Sequence, residues 1–428
     1  MKGKRIISTA ALALTLVLMA PLHRIWAAEA GLTISQLVAI ALQANPQVRA
    51  ARARWYSAAH SVKQNYAPAD PVFTFLNEDS PYNPFFVKPT LQSFQVAQAL
   101  QFPGKGYLQA QAASRTADIA RLVYVAAARD VRAQVEISYY QVLLDSALVQ
   151  VAKDNVNNLT QVLNVAQVAY AASQVTQTDF VNAEFALAAA QQAQRQLELN
   201  LGNDKTTLNQ LLYRRPDEPL QLSGGLKLAG IEISLDRLIE LARISRQEIL
   251  EAALAERRSE TALTLAKLEY APDYAIGYTF DHYLFATAGP APTFLQDHTI
   301  SIGFNVPIFF WLKQREDNTR AQYDLQAARE DLDSVLSQTA AQVTNLYRQA
   351  QFGYATAKLY RDTLIPLARQ AFAVALVSYT GGKVDFVTLI NTFRQQSDAR
   401  VAYLQALNQV LAGRVALEQT IGRPLPEK

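Results

Sequence analysis

Two periodicities divide this chain. From Tyr274 every second residue is apolar (Tyr274, Ile276, Tyr278, Phe280), with Asp273, Ala275, Gly277, Thr279 and Asp281 between them. Ile300, Ile302, Phe304 and Val306 alternate in the same way with Thr299, Ser301, Gly303 and Asn305. In the first half Phe94, Val96, Leu100 and Phe102 alternate with Ser93, Gln95, Ala97 and Gln101, broken at Gln98, and a less regular run carries Phe73 and Phe75. Period-two alternation predicts strands with one apolar and one wet face, over about 71–79, 91–102, 273–285 and 296–308. The other periodicity is helical. Ala128, Val135, Val142, Val149, Val156, Leu163 and Tyr170 recur every seventh residue, with Val131, Ala152, Leu159 and Ala166 beside them. A helix from Lys105 to about Ala172 would be roughly 100 Å long. Its counterpart from Lys313 to Tyr379 contains Pro366, which should bend the rod.

The two halves repeat each other. "LTISQLVAIALQANPQV" (32–48) is similar to "EISLDRLIELARISRQEI" (232–249), "YAP" at Tyr66 recurs at Tyr270, and "YAASQVTQTDFV" (170–181) is shortened to "YTGGKVDFV" (379–387). The order of matches predicts duplication: a first repeat over 31–225 with a helix hairpin at about 105–212, and a second over 226–428 with a hairpin at about 313–421.

The strands are about ten residues long, enough to cross a bilayer at a tilt. Aromatics gather near their ends, at Phe85, Phe86, Tyr270, Phe309, Phe310 and Trp311, as an interfacial girdle would. Four strands cannot close a barrel, and open edges are not tolerated in lipid. Two chains would give eight strands filled by side chains, three would give twelve around a lumen, and the small polar partners favour three. The predicted fold class is mainly α with a membrane β-barrel portion, a duplicated strand pair plus long coiled-coil hairpins.

Composition narrows the chemistry. Lys2, Lys4 and Arg5 precede an apolar run, Ile6 to Leu22, and then small residues, the order of a secretory signal peptide over 1–30. Lys+Arg number 40 and Asp+Glu 37; without Lys2, Lys4, Arg5, Arg24 and Glu29 each is 36, so nucleic acid has no electrostatic motive to bind. The chain has no cysteine, which excludes disulfides, thiolate metal sites and a lipid anchor on cysteine. His60, His282 and His298 are widely spaced, so no catalytic, cofactor or metal site is expected. In "LQFPGKG" (100–106) the lysine lacks the glycine spacing and the Ser/Thr of a phosphate loop.

With its barrel strands, duplicated halves and end-stacked helices, the chain resembles the TolC-like outer membrane efflux family. The motifs that carry the likeness are "ISQLVAIALQANPQV", "YAASQVTQTDFVNAE", "LIPLARQAFAVALVSYTGGKVDFVTLIN" and the closing "ALEQTIGRPL". "LQFPGKG" looks most like the heavy-metal efflux (CzcC-like) branch. The resemblance implies a homotrimer with a twelve-stranded barrel in the outer membrane and a helical tunnel through the periplasm. It implies a passive exit duct that partners a periplasmic adaptor and an inner-membrane transporter of RND or ABC type. A coiled-coil adaptor or scaffold bridging membranes without conducting is the alternative, although no lipoyl-like segment interrupts 124–212.

On the family's pattern the hairpin tips dock the adaptor. They map to Tyr170, Ser173, Thr178 and Asp179, and to Tyr379, Gly381, Gly382, Lys383 and Asp385. Gly381 and Gly382 suit a sharp turn, and Thr178 and Asp179 suit a helix cap. A constriction would fall at Asp385, Thr388 and Asn391, where TolC has aspartates on the second hairpin and this chain has Thr388 and Asn391. Pro103, Gly104 and Lys105, with Pro307, Trp311 and Lys313, would form the barrel–tunnel junction, Lys105 lying near the headgroups.

Overall fold

The computed structural model describes residues 31–79, 89–173, 175–285 and 293–425. The expected signal segment, and Phe85 and Phe86 of the expected girdle, lie outside them. The first half runs α1 (Ile34–Ala44), α2 (Pro46–Tyr66), β1 (Val72–Asp79), β2 (Pro89–Leu100), α3 (Lys105–Ala171) and α4 (Gln177–Leu211). The second repeats that order with α5 (Leu235–Ser245), α6 (Gln247–Leu268), β3 (Asp273–Phe285), β4 (Thr293–Asn305), α7 (Gln314–Leu359), α8 (Ile365–Thr380) and α9 (Phe386–Ile421).

Local chemistry fixes the helix ends. Thr33 caps α1 reciprocally with Gln36, and the Asn45 side chain accepts from the Gln47 N–H to start α2 at Pro46. The α1–α2 bend falls at Asn45, extended because a proline follows. Between α7 and α8 stands one π turn, Tyr360–Leu364, in which the Ile365 N–H reaches back to the Tyr360 carbonyl. Pro366 follows immediately. It has no N–H to return to Asp362, so the expected break in the rod is a widened turn on the N-terminal side of the proline.

α3 has 67 residues, about 100 Å of continuous helix, and packs against both α2 and α4. α7 packs in the same way against α6 and α9. The short helices close equivalent clusters. Leu37 and Ala41 are sealed against Val131 and Val135, and Leu238 and Ala242 against Val343, Leu417 and Ile421. The halves are tied by charge as well. Arg129 of α3 lies 2.6 Å from Glu248 of α6 and 2.9 Å from Asp130, whose carboxylate also accepts from Gln419 of α9. Burial alone would raise the Glu248 carboxyl, but hydrogen bonds from Arg129 outweigh it and hold the group down to about 2.

An acidic group of α3 is buried in the helical shaft. Asp145 of α3 accepts from Gln141 Nε2 at 3.3 Å, and Gln141 Oε1 accepts from Asn408 of α9 at 3.2 Å. Burial, and then the neighbouring Asp204 carboxylate of α4, push Asp145 up to about 7.

The strands form one antiparallel sheet in the order β1-β2-β3-β4, so the two halves meet at the β2–β3 pair. Both β2 and β4 begin and end two to three residues before the bounds the alternation suggests. β1 and β4 are the edges of the sheet.

Candidate functional site

Register turns the alternation into rows that cross all four strands. Phe73, Val96, Tyr278 and Ile300 are opposite one another, as are Phe75, Phe94, Phe280 and His298. The Phe75 and Phe94 rings are 4.8 Å apart and Phe94 and Phe280 6.4 Å, a continuous aromatic band. The opposite face carries Val72–Ala97–Gly277–Ser301 and Thr74–Gln95–Thr279–Thr299. A Cβ on Gly277 would lie 2.5 Å from Ser301 Oγ, so where β3 meets β4 this row holds only small groups. One face suits hydrocarbon and the other water.

The sheet passes into the helices at two corners of unlike construction. At the first, Pro103 and Gly104 turn the chain, Gly104 with φ +101°, where a side chain would be strained. Lys105 then opens α3, and here the structure corrects the headgroup assignment. Its side chain is 2% exposed, and Nζ donates to Asp273 Oδ1 at 2.9 Å, to the Ala271 carbonyl at 3.1 Å and to Glu269 Oε2 at 3.2 Å. The Phe102 N–H donates to the same Asp273 oxygen at 2.8 Å. Three acceptors satisfy the ammonium completely, so it has no need of lipid phosphate. This lysine bolts the β2–α3 corner of one half to the α6–β3 corner of the other. At the second corner, beyond Pro307, the chain is open: Phe309, Phe310, Trp311 and Lys313 are all exposed. Phe310 lies 5.3 Å from Trp311 and 6.4 Å from Tyr270.

The far ends of the rods are the hairpin tips. After Tyr170 and Ala172 the chain turns at Ser173, φ +59°, and the same position in the second tip is Gly382, φ +68°. Gly381 is the ordinary C-cap before it, at φ −91°. The cap of α4 is Thr176, not Thr178. Thr176 Oγ1 accepts from the Asp179 N–H at 3.2 Å while Asp179 Oδ2 accepts from the Thr176 N–H at 3.2 Å. Thr178 is exposed in the first turn, because the turn closes two residues earlier than its sequence suggests. Asp385 caps α9 through the Thr388 N–H at 2.9 Å, a bond that lowers its carboxyl pKa. Asp385, Thr388 and Asn391 are exposed at three-residue spacing, and Lys383 is exposed beside them.

The two tips pack on each other. Leu159, Val162, Ala166 and Ala183 of the first hairpin share a cluster with Ala375, Tyr379, Phe386, Leu389 and Phe393 of the second. Tyr379 is therefore no docking residue: it is 5% exposed, inside that cluster, against Phe386. Its hydroxyl is buried with no hydrogen-bond partner among the described residues, and burial and then the Asp179 charge raise its pKa. Tyr170, its equivalent in the first repeat, is 43% exposed and stacks on Phe180. Sequence reasoning missed Thr176, Asp273, Glu269 and the Asp145–Asp204 pair. The Asp after the second "YAP" was the one available signal for Asp273.

These surfaces can be set beside known proteins. Residues 238–423 match the model of the outer membrane efflux protein family. That part of the chain belongs to the family. It is 22% identical over 332 residues to the cobalt-zinc-cadmium resistance protein CzcC of Cupriavidus metallidurans, covering 76% of this chain and 75% of CzcC. The fold is that of the outer membrane protein VceC from Vibrio cholerae, with a TM-score of 0.76, 16% identity, and 91% of this chain and 96% of VceC covered. The open-state MtrE outer membrane channel of Neisseria gonorrhoeae superposes with a TM-score of 0.74, 16% identity, and 91% and 89% coverage. As an outer membrane efflux protein the chain is a passive duct, not an enzyme, placed in the outer membrane and reaching into the periplasm. Channels of this kind are homotrimers that work with an adaptor and an inner-membrane transporter. The bridging-adaptor alternative falls, and α3 and α4 run into one hairpin with no inserted domain.

Proposed function

We propose that three copies of this sheet close a twelve-stranded barrel and that the hairpin tips form the gate on which an adaptor docks. The single observation that carries the reading is the sheet: apolar rows span four strands, the reverse face is mostly small or polar, and neither β1 nor β4 has a second strand partner among the described residues. In lipid such edges must be paired, and another copy is the partner that supplies matching ones.

The docking surface then consists of the exposed tip residues Tyr170, Ser173, Thr178, Gly381, Gly382 and Lys383. Asp385, Thr388 and Asn391 would line the narrow end, where three copies of the Asp385 carboxylate attract cations. The inter-hairpin cluster around Tyr379 supports gating. It is a compact apolar contact between the two hairpins in which the Tyr379 hydroxyl has no hydrogen-bond partner among the described residues.

Likeness to a cobalt-zinc-cadmium resistance protein favours divalent metal ions as cargo. The test is deletion and complementation in the native host, with cell-associated cobalt, zinc and cadmium measured beside drug tolerance. The expected result is metal retention on deletion, rescued by wild type and not by variants with bulky residues at Gly381 and Gly382 that still assemble. Soluble periplasmic monomers would overturn the duct, and drug sensitivity without metal retention would overturn the cargo.

A further inference from the structure

The two strand-to-helix corners are repeat-related but differ in what holds them. Lys105 of the first corner is buried against Asp273, the residue that follows "YAP" and begins β3. The second corner has Lys313 where α7 begins, and the first half has its own acid after "YAP", Asp70, displaced by one inserted residue, Ala69. Counting two by two from the strands, Asp70 and Asp273 fall on the same face of the sheet. Both Asp70 and Lys313 are exposed, and neither makes an ion pair among the described residues.

They cannot meet within one chain. Asp70 leads into edge strand β1 and Lys313 follows edge strand β4, and three strand spacings, about 14 Å, separate those edges. Between chains the geometry differs. β2 and β3 adjoin inside the chain, and the Lys105–Asp273 bond sits at the foot of that pair. If β4 of one copy adjoins β1 of the next, Lys313 and Asp70 stand together at the foot of the new pair, Lys313 being reached through a turn four residues longer than the one from Pro103 to Lys105.

We infer that Lys313 of one copy pairs with Asp70 of the neighbouring copy, repeating between subunits the bolt that Lys105 forms within each. The occupant of both free edges is thus a second copy of this chain. The inference rests on the trimeric reading above and adds the residues that fasten it. The inter-subunit joint is the weaker of the two kinds. Glu269, the second carboxylate on Lys105, has Asn65 at its repeat position, which donates its amide to the Ser61 carbonyl. Lys313 therefore has one carboxylate to meet, and beside it the Ala67 carbonyl, the counterpart of Ala271. Alternating strong and weak joints would run round the barrel–tunnel boundary.

The test uses charge reversal in the full-length protein extracted in detergent. Asp70→Lys and Lys313→Asp should each accelerate heat dissociation of the trimer about fivefold, as loss of an ion pair of roughly 1 kcal/mol would. The combined variant should return to near the wild-type rate. A second measurement does not depend on those variants folding. The chain has no cysteine, so in Asp70→Cys with Lys313→Cys a short bis-maleimide has only these two thiols to bridge. Dimer and trimer bands on a denaturing gel are expected. A cross-linked monomer, or no cross-link in a chain that native mass measurement shows to be trimeric, overturns the pair and leaves the duct standing. A wild-type chain that is monomeric by the same measurement overturns both.

Discussion

Replacing Lys105 by methionine would remove the charge at the first corner and keep most of the stem that fills it. Breaking a fully buried ion pair costs about 3–5 kcal/mol, chiefly because a charge is stranded in a dry site. The partners here are not dry: the side chains of Glu269 and Asp273 are 40% and 35% exposed, and water can reach both. Asp273 also keeps the Phe102 N–H. The cost should therefore fall to about 2 kcal/mol, or up to ~30-fold in unfolding rate if the contact is lost before the barrier. The assay is conversion from the folded to the unfolded band on gels of detergent-extracted protein, sampled against time at fixed temperature. Lys153→Met, an exposed lysine, should stay within about 0.5 kcal/mol of wild type. Combining Lys105→Met with Asp273→Asn should cost less than the sum of the two, since each removes the same contact. An unfolding rate within twofold of wild type, or strict additivity, would refute the bolt.

Two further perturbations follow from local geometry. Because the Asp145 carboxyl is raised, its contribution to stability is full below the ordinary aspartate range and is lost as pH climbs through about 7. Asp145→Asn should flatten the dependence of the melting temperature between pH 5 and 8, and at pH 8 should gain about 1–2 kcal/mol over wild type by ending the contest with Asp204. At the tips, Ser173→Gly should add about 1 kcal/mol by relieving a left-handed backbone, and Gly382→Ala should lose a similar amount, read as opposite shifts in melting temperature.

The strands were legible because their two faces meet different solvents, and register then placed Phe73, Val96, Tyr278 and Ile300 in one row. The heptad series was legible in part. Val135, Val142 and Val149 are buried, but Val156 and Leu163 are half-buried and Tyr170 is exposed, while Val162 and Ala166 take over the seam. A real helix turns every 3.6 residues, so a strict seven-residue series drifts off the contact line. Lys105 was not legible. Its partners lie 164 and 168 residues away, and beside Pro103 and Gly104 it reads like any interfacial lysine. Tyr170 and Tyr379 show the same limit, one exposed and one buried, since repeat position does not say which hairpin packs inside the other.

The π turn at Tyr360–Leu364 gives the two rods different mechanics. α3 is an unbroken column, whereas the α7–α8 rod has a soft joint, and α8 beyond it is 16 residues, a lever of about 24 Å. A swing of about 20° there would carry the second tip roughly 8 Å sideways while α7, and the barrel above it, stayed still. In a ring of three chains, three columns would bear load and three levers would move, so pulling open one end need not disturb the seal at the other.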